Sequence, residues 1–118
     1  PAVLDSEAHK IFDIKKNDKI FFMEKAVKVR DLWKKKIPAI THIDNTARVQ
    51  TVMKSVNPIF FDLISEFNKI TKVPVLLNTS FNLNGEPIVC TPRDAIRTFF
   101  SCGLDILILG DFIIKKYD

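Results

Sequence analysis

The stretch from Val73 to Arg97 constrains the fold most, because it predicts a strand, a polar turn and a capped helix in direct succession. The apolar run Val75-Leu76-Leu77 follows Pro74 and is typical of a strand buried on both faces. Thr91-Pro92-Arg93-Asp94 then predicts a helix start, with Thr as the N-cap, Pro at the first helical position and an acid three residues after the cap.

The polar turn, residues 78–85, contains three Asn, one Ser and one Thr. It follows the predicted strand at its carboxyl end, where open α/β sheets usually place ligands. Ser80 and Asn82 are two residues apart, so in extended backbone their side chains would point the same way and bind one ligand. The alternative is that these side chains only hydrogen-bond their own turn. Asn78 and Thr79 either support the turn or contact the ligand, with neither role favoured.

The composition predicts an ordinary globular chain. Its 118 residues suit one domain, 1–118, and its net charge of +4 favours anionic partners only mildly. Cys90 and Cys102 form neither a disulfide framework nor a metal-ligand pattern, so we expect no metal and a reducing, cytoplasmic setting. No signal peptide and no membrane-spanning run is evident. Because the chain starts at Pro1 without Met, we expect a piece excised from a longer protein.

The remaining patterns predict a mixed set of strands and helices. Residues 20–29 predict a strand, and residues 39–43 and 46–52 predict a hairpin whose Asp44-Asn45 turn needs positive φ. A final hairpin is expected across Gly110-Asp111. Helices are predicted over residues 6–12, 31–37, 57–72 and 92–101. The expected fold class is α/β (α+β), a mixed twisted β-sheet with packed helices.

Periodicity also predicts which helical side chains face the core. The expected inward residues are Phe60, Leu63, Ile64, Phe67 and Ile70 in the third helix, and Ile96, Phe99 and Phe100 in the fourth. Gly103 is expected to cap the fourth helix at its carboxyl end.

Arg48 lies at the centre of a polar stripe on the predicted second hairpin strand. Thr46, Arg48 and Gln50 share one face, opposite Ala47, Val49 and Thr51. A guanidinium offers a two-pronged contact to phosphate oxygens and stays charged at all relevant pH values. The alternative is a solvated arginine on a polar strand face.

Three separated motifs carry a family resemblance over essentially the whole chain. The segments N-T-S-F-N-L-N-G-E-P-I-V-C-T-P (78–92), T-H-I-D-N-T-A-R-V-Q-T-V (41–52) and G-L-D-I-L-I-L-G-D-F (103–112) resemble the C-terminal region of the NodU/CmcH-type O-carbamoyltransferases. The resemblance implies a YrdC-like fold, truncated here. Ser80-Phe81-Asn82 resembles the Ser-x-Asn element of that family.

The resemblance also implies a function for the longer enzyme. This region would react carbamoyl phosphate with ATP, with Mg²⁺, to give a carbamoyl-adenylate. A separate N-terminal domain, carrying its own metal, would transfer the carbamoyl group to a hydroxyl of a small molecule or sugar. Arg48 would then be the catalytic phosphate contact. Ser80, Asn82, Asn78, Thr79 and His42 would bind substrate or ATP.

Two departures from the family pattern set further expectations. The family turn usually has Gly where this chain has Asn45, and Asn tolerates the left-handed conformation. The Lys-x-Arg phosphate-binding element of the family lies before the start of this chain. Lys28-Val29-Arg30 imitates its spacing without being the same element. The isolated chain is therefore expected to be inactive.

Several conspicuous side chains are expected to be structural. His42 could equally make a structural hydrogen bond, and Asp44 is expected to cap the turn. Cys90 is predicted to be a small buried hydrophobe rather than a nucleophile. Gly85 is expected in a tight turn, His9 at the surface, and Arg93 and Arg97 on a solvated helix face.

Two other classes of function stay open. One is a non-catalytic nucleotide- or RNA-binding module, although the basic residues are dispersed apart from Lys34-Lys35-Lys36, so nucleic acid is not favoured. The other is an architectural module that holds two domains or a homodimer together, with the apolar final hairpin as an edge that pairs with sequence outside this chain.

Overall fold

The computed structural model describes residues 1–117, which group into two compact units. The N-terminal unit comprises Pro1–Asn78, and the C-terminal unit begins at Thr79. That residues 1–118 form a single domain stays a prediction.

A short central strand organises the N-terminal unit. Strand β1 (Ala2–Leu4) pairs in parallel with β4 (Gln50–Val52) and antiparallel with β5 (Val75–Leu76). A separate antiparallel pair joins β2 (Ala26–Lys28) to β3 (Thr46–Arg48). Only Val49 separates β3 from β4, so one continuous extended segment serves both sheets.

The helices of this unit are α1 (Asp5–Ile11), α2 (Asp31–Lys34) and α3 (Pro58–Thr71), with a 3₁₀ turn at Pro38–Ile40. Asn57 caps α3, because its side-chain oxygen accepts a hydrogen bond from the backbone N–H of Phe60 at 3.1 Å. The helix ends at Lys72, which adopts the left-handed conformation with φ of 61°.

The core of the N-terminal unit consists of two apolar clusters, one on each side of β1. Val3 contributes to the first cluster, which contains Phe12 and Val49, while Ala2 and Leu4 contribute to the second. The second cluster also holds Val52 of β4 and Ile64, the one fully buried residue of α3 within the described chain. Alternation along a three-residue strand thus fixes both halves of the core.

The C-terminal unit packs one helix on one hairpin. Helix α4 (Pro92–Phe100) starts with a reciprocal capping box, in which Thr91 Oγ1 accepts from the N–H of Asp94 at 3.2 Å and the N–H of Thr91 donates to Asp94 Oδ2 at 3.1 Å. Strands β6 (Ile106–Leu109) and β7 (Phe112–Lys115) form the hairpin, and its turn requires the positive φ of Gly110, 58°. Its buried centre consists of Ala95, Phe99 and Leu107.

The structure confirms the mixed α/β class with helices packed on strands. The caps of α3 and α4, the final hairpin and the positive φ of Asn45, 63°, all agree with expectation. In residues 1–117, however, the strands form three small sheets rather than one.

The predicted strand pairing in the first half of the chain was wrong. Residues 20–25 are irregular, and only Ala26–Lys28 of the predicted 20–29 strand is regular. Residues 39–43 do not pair with 46–52; they include the 3₁₀ turn, and β3 pairs with β2 instead. Strand β1 was not predicted at all, because three apolar residues before a helix carry too weak a pattern.

Several predicted inward-facing side chains point to solvent. Leu63, Ile70 and Phe100 are 56%, 83% and 58% exposed, whereas Phe99 is fully buried. Leu77 is also exposed, whereas Phe67 and Ile96 are only partly exposed. Each helix has a wider apolar stripe than its unit covers, so periodicity alone did not select the buried side. The helix α4 ends at Ser101 rather than at Gly103.

The adjacent residues Phe99 and Phe100 allow a matched test of this packing. Phe99→Ala should lower the free energy of opening of the C-terminal unit by about 3–5 kcal/mol, because it empties the centre of a small core. Phe100→Ala should change it by less than about 0.5 kcal/mol. Amide hydrogen exchange of β6 and β7 measures both, and equal losses in the two variants would contradict the assignment.

Candidate functional site

Arg48 lies at the end of β3 with its side chain exposed and its orientation fixed. Its Nε donates a hydrogen bond to the carbonyl oxygen of Met23 at 3.1 Å. Among residues 1–117, no carboxylate forms an ion pair with this guanidinium. The pKa of the Pro1 amino group is lowered, first by burial and second by the charge of Arg48. Arg48 is thus a positioned cation with free donors.

The loop that holds Arg48, residues 20–24, is itself attached to β4 through Thr51. The buried hydroxyl of Thr51 accepts from the N–H of Ile20 at 2.9 Å and donates to the carbonyl oxygen of Ile20 at 3.1 Å. The backbone N–H of Thr51 donates to the same carbonyl at 2.7 Å. Three hydrogen bonds therefore fix the start of this loop against the sheet.

The far end of the loop is also constrained. Met23 has a positive φ of 57°, and the N–H of Phe22 donates to the carboxylate of Glu24 at 2.8 Å. Backbone N–H donors, first that of Glu24 itself and then that of Phe22, hold the pKa of Glu24 below its usual value. Phe21 and Phe22 are carried at the apex of this constrained loop.

A cavity of about 240 Å³ lies between this loop, the carboxyl end of β4 and the start of α3. Phe21, Phe22 and Phe60 supply aromatic walls, and Gln50 supplies an amide. Gln50 is two residues after Arg48 and on the same side of the chain. The cavity and the guanidinium consequently belong to neighbouring parts of one surface in the N-terminal unit.

His42 and Asp44 form the turn before β3. The ring Nδ1 of His42 lies 2.9 Å from the hydroxyl of Thr46, and Asp44 Oδ1 accepts from both the hydroxyl and the N–H of Thr46, at 2.7 and 3.0 Å. These bonds from Thr46 lower the pKa of Asp44. The turn role of Asp44 is confirmed. The contact of His42 is a structural hydrogen bond, and its ligand role stays a prediction.

Asn78 contacts the polar stripe. Its Nδ2 donates to Gln50 Oε1 at 3.2 Å, so it belongs to the same surface of the N-terminal unit as Arg48 and the cavity. Thr79 is exposed and is the first residue of the C-terminal unit.

The structure brings Ser80 and Asn82 together in the C-terminal unit. Ser80 Oγ donates to Asn82 Oδ1, as the expected same-side geometry implies. The Nδ2 of Asn82 donates to the carbonyl oxygens of Leu83 and Glu86, both at 3.1 Å. Asn82 therefore closes the turn that contains Gly85, whose φ is 83°. The hydroxyl of Ser80 remains exposed with acceptor capacity toward solvent.

Cys90 was wrongly expected to be buried. It is exposed and its Sγ lies 3.3 Å from the carbonyl oxygen of Ile88, because residues 84–90 form an irregular surface segment. His9 is only partly at the surface, with a buried Nδ1. Arg93 and Arg97 are exposed as expected, and the guanidinium nitrogen Nη2 of Arg97 lies 3.7 Å from Oε2 of Glu86.

Lys28 and Arg30 line a separate groove of about 420 Å³. The side chain of Arg30 has a structural role, because its Nε donates to the carbonyl oxygens of His9 and Phe12 at 3.0 and 3.2 Å. The groove also contains the carboxylates of Asp13, Asp31 and Asp44, which oppose binding of an anion. That Lys28-Val29-Arg30 only imitates the family element stays a prediction.

No group of three His, Cys, Asp or Glu side chains within residues 1–117 is placed to hold a metal ion. No helix of this described part is long and apolar enough to cross a membrane.

The sequence pattern suggested Arg48 as a candidate, and its role stays a prediction; the loop and cavity beside it were not predicted. Residues 20–24 were assigned to a strand, which would have hidden the apolar apex of Phe21 and Phe22. The polar stripe did include Gln50, and the short F-F-M-E segment was a usable signal. The hydrogen bonds between Ile20 and Thr51, which bring the F-F-M-E segment next to Gln50, are visible only in the three-dimensional structure.

Thr51→Val tests the attachment of the loop. The isosteric change leaves the N–H of Ile20 without its acceptor and removes one of the two donors to the Ile20 carbonyl, so the free energy of unfolding should fall by about 1–3 kcal/mol. Exchange of the Ile20 amide hydrogen should also accelerate. Thr71→Val is the control, since the hydroxyl of Thr71 is exposed at the end of α3. If both variants behaved alike, the loop would not depend on Thr51.

Comparison with known proteins finds relatives that match nearly the whole chain. The chain is 44% identical over 117 residues to nodulation protein NolO of Bradyrhizobium diazoefficiens, an alignment that covers 98% of this chain and 21% of the relative. It is also 44% identical over 117 residues to nodulation protein NolNO of Sinorhizobium fredii, covering 98% of this chain and 17% of the relative. The chain thus spans about a fifth of the length of these relatives.

A third relative has an enzymatic name. The chain is 42% identical over 73 residues to the 3'-hydroxymethylcephem-O-carbamoyltransferase of Amycolatopsis lactamdurans, covering 62% of this chain and 14% of the relative. The family model described as carbamoyltransferase C-terminus matches residues 1–116. This match extends over both compact units, and on this evidence the chain belongs to the carbamoyltransferase C-terminus family.

Proposed function

We propose that the full-length protein carrying this chain is an O-carbamoyltransferase, and that this region takes part in activating carbamoyl phosphate with ATP. Family membership and the named activity of the cephem-modifying relative support the enzyme class. The observation that carries the activating role is Arg48, an exposed guanidinium held by Met23 and free of any carboxylate partner in the described residues.

The proposed chemistry balances with one molecule of water. The phosphate of carbamoyl phosphate leaves as inorganic phosphate, water supplying the oxygen that replaces it. A carbamate oxygen then attacks the α-phosphorus of ATP, and the bond to pyrophosphate breaks. The products are carbamoyl-adenylate, phosphate and pyrophosphate. The carbamoyl group subsequently passes to a hydroxyl of the acceptor, which releases AMP.

Arg48 would act on the phosphate that undergoes substitution. Negative charge accumulates on the α-phosphate oxygens and on the leaving pyrophosphate in the transition state. A guanidinium that is already oriented stabilises this charge without having to reorganise. Because its Nε is bonded to Met23, the terminal nitrogens remain available for phosphate oxygens.

Ser80 and Asn82 would bind a phosphate or the carbamoyl group in the C-terminal unit. The amide of Asn82 is occupied by the turn, so its part is to orient Ser80. The hydroxyl of Ser80 is then the group that contacts the ligand: its oxygen accepts from the NH₂ of the carbamoyl group, and it donates to a phosphate oxygen only by turning its proton away from Asn82. Asn78, Thr79 and His42 are proposed as further contacts to substrate or ATP.

Magnesium would enter with the nucleotide. The described residues contain no cluster of carboxylates suited to an independent site, and Mg²⁺ is commonly held by substrate phosphates with few protein ligands. The complete reaction is proposed for the full-length protein, with the acceptor bound outside this chain. The isolated chain is expected to be inactive.

Replacing Arg48 tests the proposal. In the full-length protein, Arg48→Ala should lower carbamoyl-phosphate-dependent pyrophosphate release on the order of 100-fold, because it removes a donor aimed at developing charge. Steady-state assays with ATP and carbamoyl phosphate measure the effect.

Arg93→Ala supplies the control for this experiment, since Arg93 is another exposed arginine in the same chain. It should retain nearly full activity. Unchanged turnover of Arg48→Ala, or an equal loss in both variants, would remove Arg48 from the mechanism.

A second substitution addresses the C-terminal unit. Ser80→Ala should raise the KM for carbamoyl phosphate or for ATP by about two- to tenfold, because a hydrogen bond between neutral groups contributes about 0.5–1.5 kcal/mol. Ser101→Ala is the matched control, as the hydroxyl of Ser101 bonds only within the end of α4. Wild-type KM values for both substrates would contradict a binding role for Ser80.

A further inference from the structure

Helix α3 has an apolar stripe that stays largely uncovered within residues 1–117. The stripe consists of Ile59, Leu63, Phe67 and Ile70, which are 84%, 56%, 36% and 83% exposed. Residues at positions i, i+4, i+8 and i+11 lie on one side of an α-helix, so these four side chains form a single row along it. We call this row the outer stripe of α3.

The outer stripe is separate from the side by which α3 packs on its own unit. That side carries Ile64, which is fully buried in the cluster beside β1, and the partly buried Phe60 and Phe61. Ile64 follows Leu63 directly, which is a rotation of about 100° around the helix axis. A helix on the surface of a protein usually has one apolar side, whereas a helix with more apolar sides is buried. Helix α3 therefore has the pattern of a helix that is packed between two layers.

The charged residues along the outer stripe are already paired with one another. Asp62 Oδ1 lies 3.0 Å from Lys54 Nζ, and Glu66 Oε1 lies 2.6 Å from Lys69 Nζ. Because these charges balance, this border attracts neither an anion nor a cation strongly. Contiguous apolar patches of more than a few hundred Å² usually mark an interface. The surface consequently fits another apolar face, packed against the i, i+4 row that helices commonly present to each other.

The length of the relatives indicates where the covering face lies. Alignments over 98% of this chain account for only 21% and 17% of the two nodulation-protein relatives. By these proportions, most of the full-length protein lies outside residues 1–118. A segment on the same polypeptide has an effective concentration on the order of millimolar when its linker is short and flexible, far above that of a second copy in solution. A tethered apolar face therefore has the advantage in covering the stripe.

We propose that the outer stripe of α3 is an internal interface of the full-length protein, covered by an apolar face of the polypeptide outside residues 1–118. Ile59 and Ile70 are the most exposed members of the stripe, so they would lose the most contact with water there. None of the four side chains lines the cavity beside the 20–24 loop. The inference goes beyond the proposed function and holds whichever reaction the full-length protein performs.

Protection of engineered cysteines in the full-length protein tests the interface. Leu63→Cys and Ile70→Cys should each react with a maleimide at least about tenfold more slowly than Ile43→Cys, because labelling of a covered thiol requires local opening. Ile43 is fully exposed in the same unit and supplies the control. Mass spectrometry of the labelled peptides separates each engineered thiol from Cys90 and Cys102.

Photo-cross-linking of the full-length protein identifies what covers the stripe. With p-benzoylphenylalanine in place of Ile59, irradiation should give a product of monomer mass whose cross-linked peptide lies outside residues 1–118. Three results would overturn the proposal. A product of dimer mass would identify a second copy, and a cross-link to residues 79–118 would identify the C-terminal unit of this chain. Labelling of both stripe cysteines as fast as Ile43→Cys would identify a free surface.

Discussion

Burial of β1 is the constraint on which the N-terminal unit depends. Ala2 and Val3 are completely buried and Leu4 nearly so, and the strand has hydrogen-bonded neighbours on both sides. Alternate side chains enter two different apolar clusters, so this short strand holds α1 on one side and α3 on the other. Its parallel partner β4 then carries Gln50 and Thr51 to the edge of the sheet where the cavity lies. The position of the candidate site therefore follows from the burial of β1 and its pairing with β4.

A series of hydrogen bonds through the 20–24 loop connects the sheet to Arg48. Thr51 fixes Ile20, the loop continues to Met23, and the carbonyl of Met23 accepts from Arg48. Each link is a hydrogen bond between segments far apart in sequence. Such links cost chain entropy to form and are maintained only because Thr51 is buried and bonded in both directions. The result is a cation and an aromatic loop that are both oriented before any ligand arrives.

The sequence predicted the features that depend on neighbouring residues. The caps at Asn57 and Thr91, the hairpin at Gly110 and the positive φ of Asn45 follow from local backbone chemistry, and the structure agrees with each. Features that depend on distant partners were missed. Strand β1 is too short to have a period, and the pairing of β3 with β2 is a choice between distant segments. Phe99 is buried and Phe100 is exposed because the hairpin covers only the side of α4 on which Phe99 lies. Arg48 became a candidate through the polar stripe, whereas the cavity could not be predicted without knowing that residues 20–24 turn back onto β4.

Direct detection of the intermediate is the most decisive measurement of the central proposal. Full-length protein would be incubated with ATP, Mg²⁺ and carbamoyl phosphate labelled with ¹³C in the carbamoyl group, without an acceptor alcohol, and the products would be analysed by mass spectrometry. We expect a carbamoyl-adenylate that carries the label, with pyrophosphate released in equal amount. Release of ADP in place of pyrophosphate, or consumption of labelled carbamoyl phosphate with no labelled adenylate, would contradict it.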